Sequence, residues 1–337
     1  MKPVRFATIG INHDHIYGQT NCLLNAGAEF VGFYAEEDDL ARAYGEKFPG
    51  GPRTDDARRF LDDDSIDLII SSAIPADRAG IAIAAMRAGK DVMVDKPGMV
   101  TMDELANVRR VQAETGRIFS ILYSEHFENR ATVKAGELVA AGAIGKVVST
   151  AGFGPHRLRA PTRPEWFFKR ERYGGILVDI ASHQCEQFLF FTGAESVEIR
   201  SATVSNRAHP EWPGLQDSGD IHLSTADADG FIRVDWFTPE GLPSWGDGRL
   251  FITGTEGAIE IRKNIDVAGR DGGNHLFLTD KKGVQHIDCS NVELPYGGQL
   301  LHDIRNRTET AMPQARCFAA MEVALKAQQM AEGTYRG

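Results

Sequence analysis

The sequence predicts an α/β protein that begins with a doubly wound domain on a parallel sheet and continues into a strand-rich second domain. Short apolar strands alternate with helix-length segments through residues 1–123, which is typical of a parallel sheet flanked by helices. Between residues 195 and 290 the pattern changes to strands separated by hairpin turns. We expect domains at 1–123 and 124–310, with a final helix within 311–337 that packs on the first domain.

The chain opens with a strand, a helix and a second strand. An apolar strand at residues 4–9 ends at Gly10, a helix-length segment covers 16–26, and the next strand follows at 30–34. This order is the βαβ opening of doubly wound folds, which bind dinucleotides at the first strand-to-helix turn.

The turn after the first strand departs from the usual dinucleotide fingerprint. That fingerprint is Gly-x-Gly-x-x-Gly, whereas residues 10–15 are G-I-N-H-D-H. Only Gly10 remains; Asn12 tolerates a positive φ and keeps a tight turn possible, and His15 replaces the third glycine. Three interpretations stay open for His13 and His15: they line the cofactor turn, pack without a ligand, or bind a metal with His183. No metal is expected, because a metal needs three or four converging ligands.

Acidic residues follow the second strand. Glu36 is followed by three further acids at 37–39, and no arginine comes before Arg42. A carboxylate here accepts hydrogen bonds from the adenosine ribose and repels a 2′-phosphate. The sequence therefore favours NAD over NADP.

The rest of the first domain alternates strands and helices. A buried strand at 67–73 carries Ser72 and Ala73, and the loop from Ile74 onward would face the cofactor, since ligands bind at the carboxyl ends of parallel strands. A helix is predicted at 81–88. Thr101 and Glu104 form the capping-box pattern that starts another helix, and the domain's last strand covers 119–123.

Two segments supply groups that can move a proton to or from an oxygen. The strand at 92–95 ends at Asp95 and is followed by Lys96 and Pro97. A glycine turn at 174–175 opens a predicted helix on which Asp179 and His183 lie four residues apart, on one face. Lysine, histidine and a supporting carboxylate are what proton transfer needs while a cofactor exchanges the hydride.

The second domain is predicted to start near Ser124. A helix at 131–141 ends at Gly142. Strands at 221–224 and 231–236 flank the turn 227–230, and strands at 249–253 and 258–261 flank the turn 254–257. Both pairs are predicted to form hairpins.

Several of these segments, in this order, resemble the Gfo/Idh/MocA oxidoreductases, the family of glucose–fructose oxidoreductase and inositol dehydrogenase. The chain carries A-G-K-D-V-M-V-D-K-P at 88–97, G-A-I-G-K-V at 142–147, G-G-I-L-V-D-I-A-S-H at 174–183 and G-T-E-G at 254–257, and it closes with an alanine-rich helix at 311–331. The resemblance covers essentially the full length. It implies an N-terminal Rossmann domain and a C-terminal α/β domain on a large, open, mostly antiparallel sheet.

The resemblance also implies roles for individual residues. Lys96 matches the lysine that contacts cofactor and substrate, His183 the acid–base histidine, and Asp179 a substrate-binding or orienting aspartate. Asp95 replaces the usual glutamate, and Glu186 lies where an aspartate is often found. The candidate cofactor-binding residues are Gly10, Ile11, Asn12, His13, His15, Glu36, Ser72, Ala73, Ile74, Asp95, Lys96 and Pro97.

The segment ahead of the glycine turn at 174–175 approaches the active site in the family. Arg157 and Arg163 could bind a carboxylate or phosphate, and Trp166 could stack on a sugar face. The alternative is two surface arginines and a core tryptophan. The candidate substrate-binding residues are Lys96, His156, Arg157, Arg163, Trp166, Asp179 and His183.

We expect an NAD-dependent dehydrogenase or reductase that acts on a sugar, a polyol or a similar small molecule. His183 would take the hydroxyl proton, Lys96 would stabilise the oxygen, and Asp179 would orient the imidazole or a neighbouring hydroxyl. Two alternatives stay open. One is a lyase or hydrolase that holds NAD tightly and oxidises its sugar transiently; the other is a non-catalytic NAD or sugar sensor.

Composition restricts the partners and the compartment. The chain has 337 residues and a net charge of −10, from 47 acids against 37 bases, which disfavours nucleic acid and anionic membranes. No leader and no apolar run of membrane-spanning length is recognisable, and the four cysteines are scattered, so a cytoplasmic protein is expected. The open sheet face needs covering, which predicts a homodimer or homotetramer through the C-terminal sheet.

Overall fold

The computed structural model describes residues 2–333, which fold into two compact units. Unit 1 extends to Leu122 and includes Pro295–Phe318. Unit 2 contains Tyr123–Leu294 and the residues from Ala319 onward. Each unit has its own sheet, so the prediction of a mixed α/β protein with a parallel and a mostly antiparallel sheet is confirmed.

Unit 1 is built on a six-stranded parallel sheet with the order β3-β2-β1-β4-β5-β6. This is the strand order of a doubly wound dinucleotide-binding fold. The strands are β1 (Arg5–Ile9), β2 (Glu29–Tyr34), β3 (Arg53–Thr54), β4 (Leu68–Ser71), β5 (Asp91–Asp95) and β6 (Phe119–Leu122). The helices between them are α1 (His15–Asn25), α2 (Asp38–Lys47), α3 (Arg58–Leu61), α4 (Pro75–Arg87) and α5 (Met102–Thr115).

Local sequence signals explain where these elements begin and why they are buried. Every residue of β4, β5 and β6 is buried, as expected for parallel strands covered on both faces. Helix α5 begins at the predicted capping box: the Glu104 N–H donates to Thr101 Oγ1 at 3.1 Å, and the Thr101 N–H donates to the Glu104 carboxylate at 3.1 Å. The predicted start of this helix is therefore confirmed.

Unit 2 is built on an eight-stranded sheet with the order β14-β13-β12-β11-β7-β10-β9-β8. All its neighbours pair antiparallel except β7 and β10. Its strands are β7 (Val147–Pro155), β8 (Glu198–Ser205), β9 (Ser218–Ser224), β10 (Asp229–Asp235), β11 (Arg249–Gly254), β12 (Gly257–Arg262), β13 (His275–Asp280) and β14 (Gly283–Asp288). Both predicted hairpins, β9–β10 and β11–β12, are confirmed.

The helices of unit 2 lie mainly between β6 and β8 in sequence. They are α6 (Ser124–Phe127), α7 (Arg130–Ala140), α8 (Arg170–Tyr173), α9 (Ile176–Asp179) and α10 (Ser182–Thr192), with two short 3₁₀ turns at Ala160–Thr162 and Glu165–Phe168. Leu177, Phe188 and Ile232 belong to a buried cluster that joins α9 and α10 to the sheet. The helices therefore cover one sheet face.

The segment after β14 returns to unit 1, which differs from the predicted domain limits. It forms α11 (Tyr296–Asn306) and the start of α12 (Gln314–Ala331). The Tyr296 and Ser120 hydroxyls are 2.7 Å apart, and the Gln314 amide bonds both the N–H and the carbonyl of Phe119, each at 2.9 Å. These bonds to β6 explain why 295–318 groups with the first sheet. Among residues 2–333, no helix combines the length and apolarity that crossing a bilayer requires.

Candidate active site

The first turn of unit 1 needs glycine at position 10. Gly10 has φ +81°, and a Cβ atom there would lie 2.5 Å from Cβ of Ala73. The Gly10 N–H donates to the Tyr34 carbonyl, and the Gly10 carbonyl accepts from the Ser72 N–H, each at 3.0 Å. The turn is therefore fixed at the carboxyl ends of β1, β2 and β4, where doubly wound folds bind their ligands.

The residues after Gly10 prepare the start of α1. The His13 N–H donates to the Ser72 carbonyl at 3.0 Å, whereas the N–H groups of Ile11 and Asn12 have no protein acceptor within the described range. Helix α1 then begins at His15 without a capping side chain. Unpaired N–H groups ahead of a helix N-terminus suit a pyrophosphate, so these residues fit a dinucleotide.

Asn12 acts differently from the prediction. Positive φ occurs at Gly10, but Asn12 is not among the residues with positive φ. Instead, Asn12 Nδ2 donates to Oε1 of Glu37 at 2.6 Å. The tight turn therefore rests on one glycine, and the asparagine side chain connects it to the loop after β2.

A buried carboxylate organises the end of β5. Asp95 Oδ1 accepts from the Lys96 N–H at 2.8 Å and lies 2.9 Å from His15 Nδ1, while Oδ2 lies 3.1 Å from Arg78 Nη2. Burial alone would raise the pKa of Asp95, but His15 and Arg78 together hold that pKa well below its usual range. Asp95 is therefore ionised, and both of its oxygens are engaged.

His13 completes this cluster. Its Nδ1 lies 3.6 Å from Asp95 Oδ2, and its ring centroid lies 4.2 Å from that of His15. Burial, followed by the neighbouring His15, lowers the pKa of His13 well below the ordinary histidine value. The ligand atoms of His13, His15 and Asp95 lie within 4.8 Å of one another, which makes them a candidate metal group in this part of the chain. Since Asp95 already accepts from three donors, the geometry is that of a hydrogen-bonded network.

Arg78 is a site residue that was not predicted from the sequence. The side chain is fully buried on α4 and donates to the carbonyls of Ala73 at 2.7 Å, Lys96 at 2.5 Å and Pro97 at 3.0 Å. It therefore joins the loop after β4 to the loop after β5. Lys96 is itself buried at 4% exposure, an unusual environment for a lysine. The sequence signal was an arginine near the start of a helix made mostly of small and apolar residues.

Arg53 lies where the sequence predicted no arginine. It belongs to β3, which pairs with the end of β2, and its Nη1 bonds Asp38 at 2.6 Å. Its Nη2 donates to the carbonyls of Ala35 and Glu36. Arg53, Ala35 and the exposed Glu36 side chain line an open cavity of about 740 Å³. The prediction rested on the stretch before Arg42, whereas sheet pairing brings in a residue that comes later in the chain.

In unit 2, the glycine turn at 174–175 is followed by a helix of 4 residues and a helix of 11 residues instead of the single predicted one. The Asp179 N–H donates to the Gly175 carbonyl, but the Ala181 N–H reaches back five residues and the His183 N–H only three. This change in the spacing between hydrogen-bond donor and acceptor separates α9, which ends at Asp179, from α10, which contains His183. The prediction that both residues lie on one continuous helix is therefore wrong, although both side chains are buried.

Buried polar side chains surround His183. Its ring centroid lies 6.0 Å from that of Tyr123, and the next residue, Gln184, donates from Nε2 to Glu125 Oε2 at 2.8 Å. The same oxygen accepts from Lys263 Nζ at 2.6 Å, and Lys263 also donates to Gln187 Oε1 at 3.0 Å. Glu125 and Lys263 were not predicted, because both are far from His183 in the sequence.

Glu186 pairs with a histidine. His126 Nδ1 lies 2.9 Å from Glu186 Oε2, and both side chains are buried. Glu186, which replaces an aspartate that is often found in the family, thus takes part in an interaction between α6 and α10.

The predicted substrate residues before α8 fall into two groups. The His156 ring centroid lies 4.6 Å from that of Trp245 and 5.5 Å from that of Trp236, whose buried Nε1 has no partner within residues 2–333. By contrast, Arg157 donates to carbonyls of the 239–242 loop and Arg163 to the Leu158 carbonyl at 2.9 Å. Protein carbonyls therefore take up part of the donor capacity of both arginines.

Trp166 packs against the core of unit 2. It is partly buried beside the cluster that joins the helices to the sheet. Its ring centroid lies 6.0 Å from that of Phe167. This placement matches the core-tryptophan alternative more closely than a fully exposed sugar-stacking platform.

Known proteins share both halves of this architecture. Residues 4–123 match the profile described as the oxidoreductase family with an NAD-binding Rossmann fold, and residues 132–260 match the GFO/IDH/MocA C-terminal domain. A provisionally assigned oxidoreductase from Erwinia carotovora atroseptica SCRI1043 has a TM-score of 0.95 and 44% identity, covering 97% of this chain and 98% of that one.

Two relatives of established activity are more distant. The scyllo-inositol 2-dehydrogenase (NAD(+)) of Bacillus subtilis (strain 168) is 26% identical over 291 residues, covering 82% of this chain and 80% of the relative. The D-xylose dehydrogenase of Paenarthrobacter nicotinovorans is 25% identical over 206 residues, covering 59% and 51%. Together with the two matched domains, these similarities establish that the chain belongs to the Gfo/Idh/MocA family of NAD(P)-dependent oxidoreductases.

Proposed function

We propose that the protein is an NAD-dependent dehydrogenase or reductase that acts on a CH–OH group of a sugar or polyol. The observation that carries the proposal is the turn at Gly10, because only a residue without Cβ fits beside Ala73 at the end of the parallel sheet. The two relatives named above are a scyllo-inositol dehydrogenase and a D-xylose dehydrogenase, and both compounds carry several hydroxyl groups. A substrate with several hydroxyl groups is therefore the class to test.

The cofactor would lie along the ends of β1, β2, β4 and β5. The unpaired N–H groups of Ile11 and Asn12 would bind the pyrophosphate, and the exposed Glu36 carboxylate would accept hydrogen bonds from the adenosine ribose. Arg53 already donates hydrogen bonds to Asp38 and to two carbonyls, and these bonds compete with any contact to a 2′-phosphate. NAD is therefore the proposed cofactor.

The remaining roles belong to side chains that the structure buries. When bound, the nicotinamide supplies the hydride chemistry. His183 takes the hydroxyl proton in the oxidation direction, and Lys96 stabilises the oxygen as negative charge develops. Asp179 orients the imidazole or a neighbouring substrate hydroxyl. In the reduction direction, His183 returns the proton.

We further propose that the uncovered face of the second sheet buries itself against another copy of the chain. Phe153 on β7 lies between Phe231 on β10 and Phe251 on β11, with centroid distances of 6.1 Å to each. Phe251 is 37% exposed, and Val284 on β14 is 72% exposed. A run of aromatic side chains on a solvent-facing sheet favours self-association.

The first experiment is a titration with NADH and NADPH, followed by energy transfer from tryptophan to the reduced nicotinamide. Tighter binding of NADH supports the proposal, and no binding of either cofactor contradicts it. Turnover is then measured with scyllo-inositol, myo-inositol, D-xylose and D-glucose. His183→Ala should abolish turnover and leave the NADH affinity unchanged, whereas His302→Ala, at an exposed histidine of α11, serves as the matched control. Undiminished turnover in His183→Ala would refute the assigned acid–base role.

A further inference from the structure

Glu125 is a buried charge that the proposed mechanism does not use. It lies on α6 with 7% of its surface exposed. Its Oε2 accepts from Lys263 Nζ at 2.6 Å and from Gln184 Nε2 at 2.8 Å, while Oε1 is buried and has no partner within residues 2–333. Burying a carboxylate destabilises a protein unless the charge is paired and hydrogen-bonded. A carboxylate with only one oxygen engaged therefore requires a physical explanation.

Two contacts place Glu125 beside the proposed acid–base histidine. Gln184, which bonds the carboxylate, directly follows His183 on α10. Two residues before Glu125, the Tyr123 ring packs edge-on against His183 at a centroid distance of 6.0 Å. The 123–125 segment and the 183–184 segment are thus joined at two points, and the imidazole ring takes part in one of them.

The charge on Glu125 is retained at neutral pH. Burial would raise the pKa of this carboxyl, but Lys263, His183 and His156 lower it from 4.5 to about 2. The electrostatic influence is mutual, since an ionised carboxylate favours the protonated form of a nearby imidazole. Lys263 acts in the opposite sense, because its ammonium favours the neutral imidazole.

Other charged groups also lie on the elements that pack against α10. These are His126 on α6, Arg130, Lys134 and Glu137 on α7, Asp179 on α9, and Asp229, Arg233 and Asp235 on β10. His156 follows β7. Several of them are paired: His126 with Glu186 of α10 itself, Lys134 with Glu137, and Arg233 with Asp235. Glu125 and Lys263 differ in that their pair is both buried and tied to the residue next to His183.

We propose that Glu125 is a positioning residue for His183, and that its ion pair with Lys263 sets how tightly the imidazole holds the proton it exchanges with substrate. This inference rests on the proposed role of His183. Glu125 does not need to touch the substrate. Its carboxylate accepts from the side chain of Gln184, the residue after His183, and its charge balances that of Lys263.

The test measures the proton affinity of His183 directly and needs no substrate. The full-length protein is labelled with isotope-enriched histidine, the His183 resonance is assigned by its loss in His183→Asn, and its titration midpoint is followed by NMR from pH 5 to 9. Glu125→Gln should lower the midpoint by about one pH unit, since it leaves Lys263 unbalanced. Lys263→Met should raise the midpoint, and the double variant should return it toward the wild-type value.

Opposite shifts distinguish this role from a purely structural one. If the two side chains served only in packing, Glu125→Gln and Lys263→Met would not shift the His183 midpoint in opposite directions. Three outcomes would overturn the inference. They are an unchanged midpoint in Glu125→Gln, shifts in the same direction in both single variants, and no titration of His183 in any of these proteins. Circular dichroism checks folding; if Lys263→Met does not fold, Glu125→Gln and the neutral double variant decide. The turnover of His183→Ala tests the proposed function separately.

Discussion

Arg78 and Asp95 form a fully buried ion pair in which Nη2 and Oδ2 lie 3.1 Å apart. The arginine also donates to three main-chain carbonyls, at Ala73, Lys96 and Pro97. One side chain on α4 thereby ties together the loops that follow β4 and β5. The proposed cofactor turn and the proposed lysine depend on the same carboxylate, because Asp95 is also bound by His15 and by the Lys96 N–H.

Replacing Arg78 with Met should destabilise unit 1 strongly. The substitution leaves the Asp95 carboxylate buried with its principal cation removed, and breaking such a pair costs about 3–5 kcal/mol. The loss is measured by urea unfolding followed by far-UV circular dichroism, since all four tryptophans lie in unit 2. Arg110→Ala, which removes an exposed pair with Glu114, is the control and should cost about 0.5 kcal/mol or less. Equal losses in both variants would contradict the role of Arg78.

Gly10→Ala should abolish tight NADH binding. The added Cβ would meet Cβ of Ala73 at 2.5 Å, and alanine disfavours the φ of +81°. The turn must therefore move away from β4, which displaces the N–H groups of Ile11 and Asn12. We expect at least a tenfold weaker NADH affinity by fluorescence titration.

The matched control for that substitution is Gly80→Ala. Gly80 lies within α4, and nothing lies within 4 Å of a Cβ atom built there. Alanine should stabilise this helix by about 0.5–1 kcal/mol without changing the NADH affinity. If Gly10→Ala binds NADH as well as Gly80→Ala does, the cofactor does not use this turn.

The order of strands and helices could be predicted because it depends on local patterns. The βαβ opening, the Thr101 capping box and the two hairpins all arise from residues within a few positions of each other. The family motifs added the large second sheet, whose eight strands could not be ordered from hairpins alone.

The parts of the site that escaped prediction depend on distant pairings. Arg53 reaches the end of β2 through a two-residue strand, and Lys263 reaches Glu125 across 138 positions. The periodic spacing of apolar residues, which identifies helices and strands, does not reveal such distant partners. The break between Asp179 and His183 was missed for another reason: nothing in the sequence from Val178 to Ser182 forbids a continuous helix.

Glu36→Ser should weaken the preference for NADH over NADPH. The exposed carboxylate lies in the cavity at the end of β2 and would repel a 2′-phosphate, whereas serine can donate to it. We expect the ratio of NADPH to NADH dissociation constants to fall about tenfold, equivalent to roughly 1.4 kcal/mol. Glu46→Ser, on the far end of α2, is the control. A wild-type protein that already prefers NADPH would contradict the proposal, and Arg53 would then be the residue to examine.

Phe251→Glu should reduce self-association. Phe251 lies beside Phe153 on the uncovered face of the second sheet, and a charge there would have to be buried in any interface that this face forms. Light scattering at micromolar concentration should show a dimer or tetramer for the wild type and a smaller species for the variant. Leu24→Glu, at an exposed leucine of unit 1, is the control. A monomeric wild type would contradict the proposed interface.

Glu125 should also make the stability of unit 2 depend on pH. The pKa of its carboxyl is lowered from 4.5 to about 2 in the folded protein, so its stabilising contribution is present above pH 4.5 and is lost as the pH falls toward 2. The full contribution is on the order of 3 kcal/mol. The free energy of unfolding is measured from pH 6.0 down to 3.5 by tryptophan fluorescence, which reports on unit 2. The difference between wild type and Glu125→Gln should shrink as the pH falls, whereas exposed Glu114→Gln should follow the wild type throughout. A constant difference for Glu125→Gln would show that the carboxylate is not held ionised by its neighbours.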